Sequence, residues 1–124
     1  MNNLMAVLLN GIAQIEFDRD KQLSDYQLTY LEKMHAKMDQ GITVGELLIE
    51  NPDDNQRAEF IAANLYHAIQ SQNEAMCSAL TSYLAHYMPE LKQVKINDAD
   101  GNVTIELVFD EYYGRQVPVS FTTH

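Results

Sequence analysis

Apolar residues recur at helical spacing from Leu4 to Tyr87 and at strand spacing beyond Pro89. Leu4, Leu8, Ile12 and Ile15, with Met5 and Leu9 beside them, predict a first helix from about Asn3 to Phe17. Gly11 weakens that helix, and a strand over residues 12–17 is the alternative. Asp18-Arg19-Asp20-Lys21 reads as a polar connector. Ser24 is a good N-cap for the next helix, whose stripe is Leu28, Leu31, His35, Met38 and Ile42, with Gly41 as its C-cap. Lys33, Lys37 and Gln40 face away from that stripe.

Thr43 to Glu46 matches a capping box before Leu47-Leu48-Ile49, which predicts a short helix or turn. Asn51-Pro52-Asp53-Asp54 predicts another helix start, with Asn51 as cap and Pro52 at the first helical position. That helix buries Ala58, Ile61, Ala62, Leu65, Ala68 and Ile69. Met76, Leu80, Leu84 and Tyr87 continue nearly in phase; a break at Ser71–Asn73, with Asn73 as a new cap, is preferred to one long helix. Pro89 ends the helical region.

The period then becomes two. Val94 and Ile96 alternate with polar residues, as do Val103, Ile105, Leu107 and Phe109. Asp98 to Asn102 supplies the turn between them. Val117, Val119 and Phe121 form a third strand, which Pro118 restricts to an edge or to an outward-facing position. The expected fold is therefore α+β: three to five N-terminal helices on one face of a C-terminal three-stranded antiparallel meander. Its middle strand is Val103–Asp110, and residues 1–124 form a single domain.

Charge narrows the function classes. The chain has 124 residues, 8 basic and 18 acidic, for a net charge of -10. That balance argues against nucleic acid as a partner, because phosphate binding needs a basic surface, and against an anionic membrane. One cysteine, Cys77, cannot form an internal disulfide, so a cytoplasmic location is expected. The apolar run from Leu4 to Ile15 lacks a preceding Lys or Arg and is shorter than the ~20 residues a bilayer needs.

Candidate chemistry is sparse. Asp98 to Asn102 resembles a calcium loop, but a start at Asp98 puts Val103 and Phe109 at the glycine and carboxylate positions, and a start at Ile96 loses the first ligand, so a tight turn accounts for it. Glu32 and His35 form one Glu-x-x-His, where carboxylate-bridged metal bundles use two copies; a partly buried, hydrogen-bonded His35 accounts for it more simply. Cys77 with His67 or His86 could pair as nucleophile and base, yet no Lys or Arg stands near to lower the thiol pKa. The glycines are isolated, so no phosphate loop is present, and no cofactor is expected.

One regional feature stands out. Between Phe60 and Pro89 the single formally charged side chain is Glu74, while Tyr66, His67, Tyr83, His86 and Tyr87 cluster there. Tyrosine buries area and keeps a polar tip, which suits interfaces; Tyr112 and Tyr113 add to the set. The expectation is a non-enzymatic module that self-associates as a homodimer through this region, or binds another protein. The alternatives are a metal- or small-ligand-binding protein or enzyme using Glu32 and His35 with His67 or His86, and an acidic mimic that occupies a basic partner.

Overall fold

The structure, a computed structural model, describes residues 3–44 and 46–114. The N-terminal apolar run is a hairpin and not a helix: β1 (Leu4–Leu9) pairs antiparallel with β2 (Ile12–Asp18). The turn is Asn10-Gly11, both at positive φ (52° and 82°), which matches the strand twist and suits this residue pair. β1 reads as unbroken Leu-Met-Ala-Val-Leu-Leu because it is buried on both faces. A short continuous apolar run satisfies helix and interior-strand templates alike.

Among the described residues three helices follow the hairpin. α1 (Asp25–Asp39) carries the expected Ser24 cap, completed into a capping box by Gln27. It stops before Ile42, and Gly41 follows the cap residue Gln40 at φ 130°. The predicted capping box at Thr43 is instead the start of a small hairpin, β3 (Ile42–Val44) against β4 (Leu47–Ile49). α2 (Asp54–Gln70) is capped by Asp53 rather than Asn51. Asp53 is extended and accepts from the Gln56 amide, whereas Asn51 sits at φ 51°. α3 (Glu74–Tyr87) starts at the Asn73 cap after Gln72 turns the chain at φ 57°.

β5 (Gln93–Asn97) and β6 (Thr104–Val108) form the expected second hairpin, joined through a 3-10 turn at Ala99–Gly101. They do not form a separate C-terminal meander. β1 pairs parallel with β5, giving one four-stranded mixed sheet in the order β2-β1-β5-β6. The expectation of helices first and a three-stranded meander last is thus overturned. The first strands of the chain lie in the same sheet as β5 and β6, and among the described residues β6 stands at the edge of that sheet. The third strand expected over Val117 to Phe121 lies outside the described residues.

The helices cover one face of this sheet. Met5, Val7, Val94 and Ile96 pack against Leu31, Ile61, Leu65, Leu80 and Leu84. Leu65, Leu84 and Ile96 are 0–1% exposed, and each such side chain contributes about 2 kcal/mol by leaving water. The opposite face holds a smaller cluster of Ala6, Leu8 and Tyr113. A bulge serves both faces. Val7 pairs with Ile15 but Leu8 with Ala13, so Gln14 is the extra residue and the side-chain alternation of β2 reverses there. Ala13 consequently joins the outer cluster while Ile15 and Phe17 join the helix side.

Candidate functional site

Part of the charge-poor region, the middle of α3, has an explanation within the chain. Six consecutive residues of α3, Leu80 to Ala85, are buried. The helix is enclosed by α1, α2 and the sheet, so its middle has no solvent face on which charges would be needed. The five aromatic and histidine residues of this region fall into two groups, Tyr83, His86 and Tyr87 on α3 and Tyr66 and His67 on α2. Tyr83 is 2% exposed and belongs to the core. Tyr87 is half-buried and stacks on His35 with ring centroids 4.5 Å apart. His86 is exposed and meets the Tyr87 ring edge-on at 4.8 Å. Tyr66 is half-buried, and His67 beside it is exposed.

His35 is half-buried and hydrogen-bonded: its Nδ1 lies 2.8 Å from the Tyr83 hydroxyl. Burial raises the Tyr83 phenol above its ordinary value, so it stays neutral. Burial also raises Tyr87, assisted by the Glu32 and Asp39 carboxylates. Glu32 is exposed on the next turn of α1. Among the described residues no group of three His, Cys, Asp or Glu side chains is placed to hold a metal ion. Cys77 is half-buried, and burial with the nearby Glu74 raises its thiol pKa, which is the wrong direction for a nucleophile.

The Asp98 turn is a structural clamp. Asn10 donates to its carboxylate at 2.7 Å and Tyr66 at 2.9 Å, while the Asp98 amide donates back to Asn10 at 3.0 Å. These bonds join the β1–β2 turn, α2 and the end of β5. They also lower the Asp98 pKa and raise that of Tyr66.

The strongest candidate site is a groove of about 640 Å³ between α1 and the α2–α3 pair. One stripe of α1 forms its first wall: Tyr30, Lys33, Met34, Lys37 and Met38, at helical spacing. Phe60, Ile61, Asn64, His67, Ala68 and Ser71 of α2 form the second by the same logic. Met76 and Leu80 of α3 and Ile42 of β3 complete the lining. The far ends of α1 and α2 are held by Arg57, which donates to Asp39 at 2.7 Å and Asp54 at 2.9 Å.

The groove has an apolar floor with three of the chain's six methionines, and its rim carries Lys33, Lys37 and His67. Among the described residues no carboxylate lines it. Of the residues singled out by sequence, it takes only His67. Lys33 and Lys37 do face away from the core, but outward on this helix means toward the groove. The signal that could have found it is the row Tyr30-Met34-Met38 on α1, which runs from the exposed Tyr30 to the buried Met38 at the edge of the core.

No family model, curated protein or solved structure matches the chain, so no relative lends it an activity. Among the described residues no helix is long and apolar enough to cross a membrane.

Proposed function

We propose that this chain is a binding module, and that the groove between α1 and α2–α3 receives an amphipathic anion with an elongated apolar body. The observation that carries this reading is the charge sign. In a chain of net charge -10, the groove is bordered by Lys33, Lys37 and His67 and by no acidic residue. The rest of the surface repels anions only weakly at physiological salt, where the Debye length is about 8 Å, so the rim dominates locally. The groove volume falls within the range of roughly 300–1,000 Å³ typical of small-ligand sites. Methionines adapt to flexible aliphatic ligands because their side chains are unbranched and polarizable.

The test is a displacement titration of bound 1-anilinonaphthalene-8-sulfonate with dodecanoate, dodecanol and dodecylamine at fixed ionic strength. The expected order is dodecanoate tightest and dodecylamine weakest. Failure of dodecanoate to compete below its micelle concentration rejects the reading.

A second reading is self-association across the same surface. Tyr26, Tyr30, Leu47, Leu48 and Met76 are exposed. Tyr30 and Met76 line the groove and Leu48 lies beside Gly41 on its wall, so the apolar border extends beyond what a small ligand covers. Sedimentation equilibrium decides it: a dimer weakened by Met76→Glu supports self-association, and a monomer at tens of micromolar removes it.

A further inference from the structure

A second cavity, of about 480 Å³, opens on the other side of α3. It is lined by Arg19 and Lys21 from the loop after β2, by His86 from the last turn of α3, and by Phe17, Leu23 and Pro89 among its apolar residues. None of its lining residues is acidic. Arg19 is the unusual member. Its Nη2 donates to the Met88 carbonyl at 3.0 Å, which satisfies one of five guanidinium donors. Its Nε is buried and has no partner among the described residues.

Taking a guanidinium partly out of water without a counter-charge is costly, so the half-buried Arg19 gains from an oxyanion beside it. Arg19 forms no ion pair among the described residues, and burial lowers its pKa accordingly. The two carboxylates next to it in sequence are engaged elsewhere. Asp18 accepts from the Asp20 amide at 2.9 Å, and Asp20 accepts from the Asn3 side chain at 2.7 Å. Among the described residues no counter-charge stands beside Arg19, and the cavity next to it has room for one.

We propose that this cavity is a site for a small organic oxyanion, a carboxylate or a phosphate monoester, held by Arg19 and Lys21 with His86 at the rim and its organic part against Phe17, Leu23 and Pro89. Guanidinium geometry suits either oxyanion, since both present paired oxygens. The site is separate from the α1–α2 groove and independent of its occupant.

The probes are phenyl phosphate, benzoate and phenol, titrated into the protein at constant ionic strength and followed by calorimetry and by amide chemical shifts. Either oxyanion is expected to bind at least about tenfold more tightly than phenol, and the tighter of the two names the ligand's anionic group. Arg19→Gln is expected to weaken that binding about tenfold, and the exposed Lys21→Gln severalfold. Lys95→Gln, on the outer sheet face, leaves it unchanged. If Arg19→Gln does not fold, Lys21→Gln and His86→Gln carry the comparison. Phenol binding as tightly as the oxyanions, no saturable binding of either oxyanion, or oxyanion affinity unaltered by these substitutions overturns the proposal.

Discussion

The Tyr113 hydroxyl donates to the Glu16 carboxylate at 2.6 Å, although 97 positions separate the two residues. This bond pins the segment after β6 across the outer face of the sheet. The Tyr113 ring is 3% exposed and lies on Ala6 and Leu8. Around it Gln93 donates to the Glu111 carbonyl at 2.9 Å, and the Lys92 ammonium lies 4.7 Å from the centre of the Tyr112 ring. The strap explains why β1 is buried on both faces. Tyr113→Ala should lower unfolding free energy by about 3 kcal/mol, through lost burial and the cavity left behind. Tyr113→Phe should cost about 1 kcal/mol. Urea denaturation measures both, and an alanine variant as stable as the parent would mean that the strap is not packed.

Acid should weaken the Asp98 clamp. The hydrogen bonds from Asn10 and Tyr66 hold the folded-state pKa below that of the unfolded chain. The clamp therefore contributes fully above about pH 4, the unfolded value, and its contribution is lost as pH falls through the lower folded value. Thermal melts from pH 6 to pH 3 should show a smaller decline for Asp98→Asn than for the parent. Parallel declines would remove Asp98 as a source of acid sensitivity.

Tyr83 predicts the behaviour at high pH. Its folded-state pKa is raised by burial, so the unfolded chain loses its phenolic proton first, near pH 10. Its stabilising effect is present below that pH and disappears as pH rises further. Urea midpoints taken between pH 8 and pH 11 should fall less steeply for Tyr83→Phe. The same variant leaves His35 without its hydroxyl partner and should cost about 1 kcal/mol at neutral pH.

Thr81 offers a stabilising substitution. Its side chain is fully buried in α3, and its hydroxyl has no hydrogen-bond partner among the described residues. Replacing the hydroxyl by a methyl group removes an unsatisfied polar atom at nearly constant volume. Thr81→Val should raise unfolding free energy by about 1 kcal/mol. Thr81→Ser keeps the hydroxyl, loses a methyl and should lower it by a similar amount. The two melting temperatures moving in the same direction would contradict this account.

Groove substitutions separate charge from shape. Lys37→Glu should weaken dodecanoate while sparing dodecanol, because it reverses the rim without altering the floor. Met34→Glu should weaken both, since it places a carboxylate among the apolar contacts. Equal losses for acid and alcohol in Lys37→Glu would point to a shape change and not to the rim charge.

Local chemistry was legible in the residues themselves. The Ser24 cap, the Asn73 cap, the break near Ser71–Asn73 and the hairpin of β5 and β6 each depend on side chains within a few positions of one another, and each is where the pattern placed it. The N-terminal strands were legible only in part. Asn10-Gly11 is a strong hairpin signal, but Leu4 to Leu9 fits a helical stripe equally well. Asn51 lost the α2 cap to Asp53 because both are good caps and only the backbone angles separate them.

What the sequence determined by itself is the Ser24 and Asn73 caps, the break before α3 and the period of two after Pro89, because these are settled by neighbours along the chain. Tertiary structure alone decided that β1 lies parallel to β5, since that pairing joins residues about 87 positions apart (Ala6 with Gln93) and leaves no periodic trace. It also decided which outward residues converge. Lys33 and Lys37 became the rim of a groove because α2 stands across from that face of α1. Arg19 came beside Lys21 and His86 because the end of α3 packs against the loop after β2. Side chains distant in sequence acquire a common function only when packing brings their elements together.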